Sequence, residues 1–368
     1  MSEWSKIKLG EVAEVKYGKA HQSLADGNIP AYGSGGLMRY VEKALYYDES
    51  ILIPRKGTLN NILYKNEPFW TVDTMFYTIL NKKMVFPKFL FYQLTTVDFA
   101  NMNVGSAVPS MTVPVLNDLD ILLPPLFEQK SISEILSSLD DKIDLLHRQN
   151  KTLEQLAETL FRQWFVEEAE ESWEVGKVDD VISVKGGTTP STAKPEFWNG
   201  TFHWTSPRDL SNNNSIFLFD TERKITERGL QEIGSGLLPL GTVLLSSRAP
   251  IGYLAITEIP VAINQGYIAI ICDKVVSNYF MFLWCKANMN EIENAGNGSV
   301  FQEISKSSFK TLDFTIPPIE KLNDFDKKAE PIFQKIKSNT NQIKTLTKLR
   351  DTLLPKLMSG EVRVENNL

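Results

Sequence analysis

Apolar positions along the chain follow two different rhythms. From Ile132, the residues Ile132, Leu136, Leu139, Ile143, Leu146, Asn150, Leu153, Ala157, Leu160 and Trp164 alternate steps of four and three, which lines them along one seam of an α-helix. The same rhythm returns 193 residues later as Phe325, Ala329, Ile332, Ile336, Asn339, Ile343, Leu346, Arg350, Leu353 and Leu357. A shared register at one fixed offset predicts two long helices that pack on each other. Elsewhere the apolar runs are short and separated by Gly, Pro and Asn clusters. Ile51-Leu52-Ile53 and Phe76 to Leu80 predict strands, and Phe86 to Leu94 predicts a short helix entered through Pro87.

The polar exceptions in the seam predict its direction. In a parallel pair Asn150 would face Ile343 and Asn339 would face Leu146, burying two amides against aliphatic side chains at a cost of about 1–3 kcal/mol each. In an antiparallel pair Asn150 meets Asn339, and each amide can donate to and accept from the other. Leu160 then meets Ala329 and Ala157 meets Ile332, a match of large with small. Arg350 would fall opposite Leu139 and is expected to snorkel to water.

Pro124-Pro125 and Pro317-Pro318 precede the two helices and punctuate the chain alike. The repeat also runs through the preceding segments. Trp4 with Val15 to Gly18 matches Trp173 with Val184 to Gly187 at an offset of 169 residues. Ile51 to Arg55 matches Leu244 to Arg248, and Gly105-Ser106 matches Gly298-Ser299, both at 193. The difference of 24 places an insertion in the second copy, between its first strand and its arginine strand. The expected fold class is therefore α/β (α+β). Two similar globules, 1–125 and 167–318, alternate with long helices at 126–166 and 319–357, in a pseudo-two-fold duplication. Antiparallel pairing would return the tail, 358–368, to the neighbourhood of the N-terminus and put the globules at opposite ends of a rod. From Ile132 to Trp164 such a rod advances on the order of 48 Å.

Charge narrows the chemistry. The net charge of −6 argues against a generally basic nucleic-acid binder, so any DNA contact must be local. Residues 1–125 balance 12 basic against 12 acidic side chains, whereas 167–318 hold 12 against 19. No stretch reaches the roughly 18 apolar residues of a membrane span, and the N-terminus lacks a signal core. Two cysteines, Cys272 and Cys285, make neither a disulfide framework nor a zinc site. A cytoplasmic protein without membrane association is the expectation.

Catalytic motifs are wanting. The Pro-Pro pairs sit in Leu-Pro-Pro-Leu and Ile-Pro-Pro-Ile, without the amide and stacking ring of an adenine methyltransferase loop. Gly33-Ser34-Gly35 and Gly234-Ser235-Gly236 lack the third glycine of a dinucleotide loop, and no phosphate-loop Gly-Lys-Ser/Thr occurs. Glu14-Val15-Lys16 has the ending of many metal-dependent nuclease sites but no preceding aspartate, and reads as a solvated strand. His21, His147 and His203 are too scattered for metal spacing, and His147 lies off the seam.

The tract Leu160-Phe161-Arg162-Gln163-Trp164-Phe165 and the tail Leu353 to Val362, with the paired helices and the repeated globules, resemble the specificity subunit of type I restriction-modification systems. In the second globule, Lys185 to Pro190, Glu196 to Gly200, Trp204-Thr205-Ser206 and Leu245 to Gly252 are similar to a common target-recognition domain pattern. In the first, Tyr32 to Gly36 and Arg55 to Thr58 are similar to another variant. The resemblance covers essentially the whole chain. It implies a subunit without catalysis or cofactor of its own, gripping double-stranded DNA with two target-recognition domains, each reading part of a bipartite site. The implied partners are two modification subunits, which bring S-adenosylmethionine for adenine methylation, and nuclease-translocase restriction subunits. A specificity subunit of a type IIB-like system and a protein-binding coiled-coil adaptor remain alternatives.

The candidate DNA contacts are local. Arg55 and Arg248 each follow an apolar strand and precede a turn, so a guanidinium at the strand end could fork onto guanine O6/N7 or a phosphate. Ser206 and Arg208, after Trp204-Thr205, are further candidates. Lys16-Tyr17-Gly18-Lys19 and Lys185-Gly186-Gly187-Thr188 offer a cation beside backbone N–H groups, suited to phosphate. Ser34-Gly35-Gly36, Gly57, Ser106, Ser246-Ser247, Asn264-Gln265 and Ser299 are small or amide side chains able to approach bases, or else turn residues, and Lys56 adds a cation beside Arg55. Trp70, Trp198 and Trp204 are expected in the core.

Overall fold

Proline and glycine mark the element boundaries in the computed structural model, which describes residues 4–102, 109–211, 213, 215–248, 250–296 and 302–364. The chain forms two units, Met1–Leu145 with Ile343–Leu368, and Leu146–Gln342. Each long helix contributes one part to each unit.

In the first unit the order is β1 (Ser5–Lys8), α1 (Leu9–Val12), β2 (Ala13–Tyr17), β3 (Ile29–Gly33), β4 (Gly36–Val41), β5 (Ser50–Pro54), β6 (Leu63–Lys65), β7 (Trp70–Thr71), β8 (Met75–Leu80), α2 (Pro87–Thr95), α3 (Val113–Asn117) and β9 (Asp120–Leu123). Then α4 (Leu126–Arg162) begins. Helix α2 starts as predicted, with extended Phe86 before Pro87, because proline's fixed φ suits the first helical position. The strands form sheets β2-β8-β5-β6, β4-β3-β7 and β1-β9. All five residues of β5 are buried, since it lies between β8 and β6 with α2 packed against it. A strand covered on both faces reads as a continuous apolar run rather than an alternation.

The second unit repeats this plan. Its order is β10 (Glu174–Lys177), α5 (Val178–Val181), β11 (Ser183–Lys185), β12 (Trp198–Thr205), α6 (Pro207–Ser211), β13 (Phe217–Leu218), β14 (Arg223–Ile225), α7 (Glu227–Gln231), β15 (Val243–Ser247), β16 (Ile251–Thr257), β17 (Val261–Ile263) and β18 (Tyr267–Ile271). It continues through α8 (Asn278–Ala287), α9 (Met289–Asn294), α10 (Lys306–Lys310) and β19 (Asp313–Ile316) into α11 (Ile319–Met358). The sheets β11-β18-β15-β16-β13, β14-β12-β17 and β10-β19 match those of the first unit strand for strand, with β13 added. In both units the strand before the arginine loop is central, and a parallel pair, β3·β7 or β12·β17, lies beside it. The insertion read from the offsets is α6 with β13. Where β3 turns directly into β4, β12 makes this excursion before β14 returns to pair with it.

The predicted seam holds in each unit taken by itself. In the first, Ile132, Leu136 and Leu357 are buried in a cluster with Phe89, Tyr92 and Met358. Asp140 pairs with Arg350 at 2.9 Å, and Glu128 with Arg363 at 2.6 Å. As residue numbers on α4 rise, their partners' numbers fall, which is antiparallel packing. In the second, Ala157, Ala329 and Ile336 are buried with partly buried Leu153, Leu160, Trp164 and Ile332. Asn339 Nδ2 donates to Asn150 Oδ1 at 2.9 Å.

Two details differ from expectation. The amides do not exchange both bonds: Asn150 Nδ2 donates to Thr340 Oγ1 at 3.2 Å, and Asn339 Oδ1 is buried without a partner. Thr340, one residue off the seam, supplies the nearer acceptor. Arg350 does not simply snorkel either. Its guanidinium is held by Asp140 and Asp351, and Asp140 also accepts from the buried Tyr92 hydroxyl at 2.6 Å. The carboxylate thus satisfies both a cation and a phenol, which Leu139 could not.

Candidate nucleic-acid interface

In the first unit the predicted residues converge on one short segment, Thr71 to Met75. Gly18 N donates to Met75 O at 3.0 Å and Lys19 N to Thr71 O at 2.9 Å. Arg55 N and Lys56 N both reach Thr74 O, and Ser34 N reaches Thr74 Oγ1 at 3.4 Å. The Arg55 side chain is steadied as well: Nη1 donates to Asp73 O at 2.9 Å, and the guanidinium lies 5.4 Å from the centre of the half-exposed Tyr17 ring. A cation over a ring face gains electrostatic attraction and loses fewer rotamers on binding. Gly57 and Ser34 face each other, with a Cβ on Gly57 standing 3.1 Å from Ser34 Oγ. Gly35 has open space around it.

The second unit builds the same arrangement around Ile263 to Tyr267. Its most direct sign is a pair of glycines. A Cβ on Gly18 would stand 2.0 Å from Val72 O, and one on Gly187 would stand 1.8 Å from Ile263 O. No larger residue fits such a close approach. Thr189 Oγ1 donates to Gln265 Oε1 at 2.8 Å, Ser247 N to Gly266 O at 2.8 Å, and Asn264 N to Thr205 O at 3.0 Å. Arg248 leaves the end of β15 as Arg55 leaves β5, and is 3.7 Å from Glu303. Arg208, largely exposed, is 3.7 Å from Glu222. Lys185 ends β11, and the Lys306 side chain packs beside Gly186. Thr188 Oγ1 is bonded to Glu232 O.

Several sequence-based expectations change. The N–H groups of Gly18 and Lys19 are spent within the fold, and Lys16 is paired to Glu14 at 2.5 Å, so this tract offers no backbone donors at these two residues and, of its two lysines, only Lys19 lacks a carboxylate partner among the described residues. Ser246 and Ser247 are 0% and 3% exposed. The Ser246 hydroxyl donates to Pro250 O and accepts from Tyr253 N, which braces the strand end instead of facing outward. Asn264 Oδ1 accepts from Gly266 N, which is turn chemistry. Ser206 caps the next helix with Asp209, whose Oδ2 accepts its N–H at 2.9 Å. Ser106 and Ser299, with Gly105 and Gly298, lie outside the described residues. Trp70, Trp198 and Trp204 are buried as expected, and they anchor the loops: Trp70 Nε1 donates to Lys19 O, Trp198 Nε1 to Ser191 O and Trp204 Nε1 to Thr188 O. The residues that sequence reading missed are Asp73 and Thr74, which hold Arg55 and Ser34 through backbone carbonyls and one hydroxyl. No motif in the sequence signalled them, since the Thr71-Val72 and Ala262-Ile263 pairs that precede the two segments lie 191 residues apart, off both repeat offsets. No catalytic alternative arises from the cysteines, since burial pushes the Cys272 thiol up to about 12 and Cys285 well above its ordinary value.

A sequence profile of the family described as type I restriction modification DNA specificity domain matches residues 1–155 and 170–352. The chain belongs to this family. Among curated relatives of this specificity subunit, the MjaIX specificity subunit of Methanocaldococcus jannaschii is 39% identical over 165 residues, covering 44% of this chain but only 38% of the relative. The HindI specificity subunit of Haemophilus influenzae is 26% identical over 375 residues, covering 80% and 81%. The crystal structure of the type I restriction-modification S subunit from M. genitalium shares the fold, with a TM-score of 0.69 at 16% identity over 96% of each chain. No helix among the described residues is long and apolar enough to cross a membrane.

Part of the cationic charge of the specificity subunit is paired and part is not. In the first unit, Lys6, Lys8, Lys16, Arg39 and Lys82 each have a carboxylate partner. Lys19, Arg55, Lys56 and Lys65, which surround the 71–75 segment or the strand beside it, have none among the described residues, and neither have Lys43, Lys83 and Lys88 elsewhere in the unit. Lys65 lies instead 4.1 Å from the Tyr32 ring centre and Arg55 over Tyr17. A cation without a carboxylate keeps its full charge for an incoming phosphate.

Proposed function

We propose that this chain is the sequence-reading subunit of a type I restriction-modification complex, in which each unit reads one half of a bipartite site in double-stranded DNA. The observation that carries the reading is the repeated loop assembly. In both units a close-packed glycine, a central strand ending in arginine and a strand parallel to its neighbour bring small side chains and a cation to one segment. Arg55 and Arg248 are its reading residues, supported by Lys19, Ser34, Lys56 and Gly57 in one unit and by Lys185, Arg208 and Gln265 in the other. Two modification subunits supply S-adenosylmethionine and the adenine methyl transfer, and restriction subunits supply translocation and cleavage. The paired helices are the spacer between half-sites, and the complex works in the cytoplasm.

The test is reconstitution with the modification subunits, followed by mapping of methylated adenines. Two short words separated by a fixed gap are expected, with no methyl transfer by this chain alone. Methylation by the purified chain, above a control lacking it, overturns the reading. Cleavage on both sides of the site would assign a type IIB-like system, and absence of any sequence-specific DNA complex would assign a protein adaptor.

A further inference from the structure

The hairpin of β3 and β4 carries an apolar pair that the core does not use. Ala31 stands opposite Arg39 and Tyr32 opposite Leu37, which leaves Met38 as an extra residue in a β-bulge. A bulge interrupts the alternation that would turn one of two neighbouring side chains inward. Leu37 and Met38 are 51% and 54% exposed, and the Met38 thioether lies over Gly33.

Scattered surface apolar residues are ordinary, but this pair has cations about it: Arg39, next on β4, is held by Asp26 at 2.9 Å, while Lys65 has no carboxylate partner among the described residues. Tyr32, across the ladder from Leu37, lies under the Lys65 ammonium. Thr71 Oγ1 donates to Tyr32 O, and the Thr71 carbonyl accepts the Lys19 backbone N–H, which brings that residue's main chain beside β3. One residue past β3, Ser34 N meets Thr74 Oγ1, and Thr74 O accepts the backbone N–H groups of Arg55 and Lys56, which brings the main chain of both basic residues to the same segment. A partner for this surface needs anions at its margins and an apolar group at its centre. The DNA major groove has that pattern, with rows of phosphate on either side and the C5-methyl of thymine as its one apolar feature.

We propose that Leu37 and Met38 read thymine in the first unit's half-site by packing on its C5-methyl group. This deepens the DNA-reading function and rests on it. The second unit reads its half-site without such a pair. Trp204, which pairs with β17 as Tyr32 pairs with β7, has Arg223 opposite it, stacked 3.4 Å from the Trp198 ring centre.

The test uses deoxyuridine, which pairs as thymine does and lacks only the methyl. The complex with its modification subunits is assayed by binding and methylation on synthetic duplexes carrying the mapped site, with uracil replacing thymine in one half-site at a time. A half-site that is methylated on adenine always has thymine in the opposite strand, so the substitution is always available. The expected result is about a fourfold loss of affinity for each contacted methyl, from the transfer energy of one carbon group. The loss should fall in one half-site, and Leu37→Ser with Met38→Ser should abolish the thymine preference there alone. If the double variant fails to assemble, Leu37→Ala and Met38→Ala are read singly. Wild-type indifference to uracil in both half-sites, or an unchanged preference in the variants, overturns the inference while leaving sequence-specific binding intact. Weaker capture of a modification subunit with unchanged thymine preference would make the pair a protein contact and overturn it too. Failure of the wild-type complex to bind any defined site would instead remove the function on which it rests.

Discussion

At the scale of single residues, the two strand-end arginines are prepared differently. Arg55 is aimed by Asp73 O and the Tyr17 ring and has no carboxylate to leave. Arg248 must loosen a 3.7 Å pair with Glu303, an exposed interaction of the kind that contributes little. Arg55→Ala should therefore weaken recognition of one half-word and Arg248→Ala that of the other, each by about 1–3 kcal/mol for a base contact. Methylation rates on sites mutated in one half-word at a time check this. A uniform loss on every sequence would assign both arginines to phosphate, and an unchanged pattern in both variants would remove them from the interface. The placement of both arginines at strand ends was legible in the sequence, because a charge closes an apolar run at one repeated offset. Their supports were not, because Asp73 O and Thr74 O act through the backbone and leave no side-chain signature. Ser246 and Ser247 were misread for the complementary reason. A polar residue at the end of a strand covered on both faces looks, in sequence, like one that reaches solvent.

At the scale of elements, the helix pair was the most legible feature, since a heptad seam specifies which faces meet and its polar members specify direction. The sequence placed Asn150 against Asn339 but did not show that Thr340 would intervene. One turn of helix holds several groups within reach of an amide, and their competition is decided by side-chain rotamers. The consequence is measurable. Asn150→Leu leaves the Asn339 amide only its longer, 3.4 Å bond to Gln149 Oε1 in an enclosed seam and should destabilise the second unit by about 1–3 kcal/mol. Asn339→Leu strands Asn150 Oδ1 in the same way, while removing a carbonyl that is already unpaired. The double variant should recover much of the loss, giving a coupling energy that denaturant titration of all four proteins can resolve. Strictly additive effects would mean that the two amides do not depend on each other. In the first unit, Arg350 was legible only as an anomaly, because its solution uses Tyr92 from α2 and Asp140 from α4, residues whose meeting no local pattern announces.

At the scale of the whole molecule, duplication explains why so much of the fold could be read. Two copies of one strand order must satisfy the same burial constraints, so each copy checks the other, and the place where they diverge is an insertion that builds α6 and β13. The division of labour that follows is between words and gap. Under the proposed function the words belong to the loops and the gap to helices of 37 and 40 residues. A heptad inserted between Ile143 and Leu146 and a second between Ile343 and Leu346 falls at matched places in an antiparallel pair, because Ile143 runs alongside Leu346 in the register set by Asn150 and Asn339. The seam is preserved, and each helix grows by about 10 Å, equivalent to about three steps of 3.4 Å along duplex DNA. The lengthened subunit should direct methylation to sites with both half-words unchanged and about three more base pairs between them, apart from any change that DNA bending takes up. Sequencing the modified genome reads this directly. Altered half-words with the original gap would show that the helices do not set the spacing, and a shifted gap with intact words would assign the two tasks to different parts of one chain.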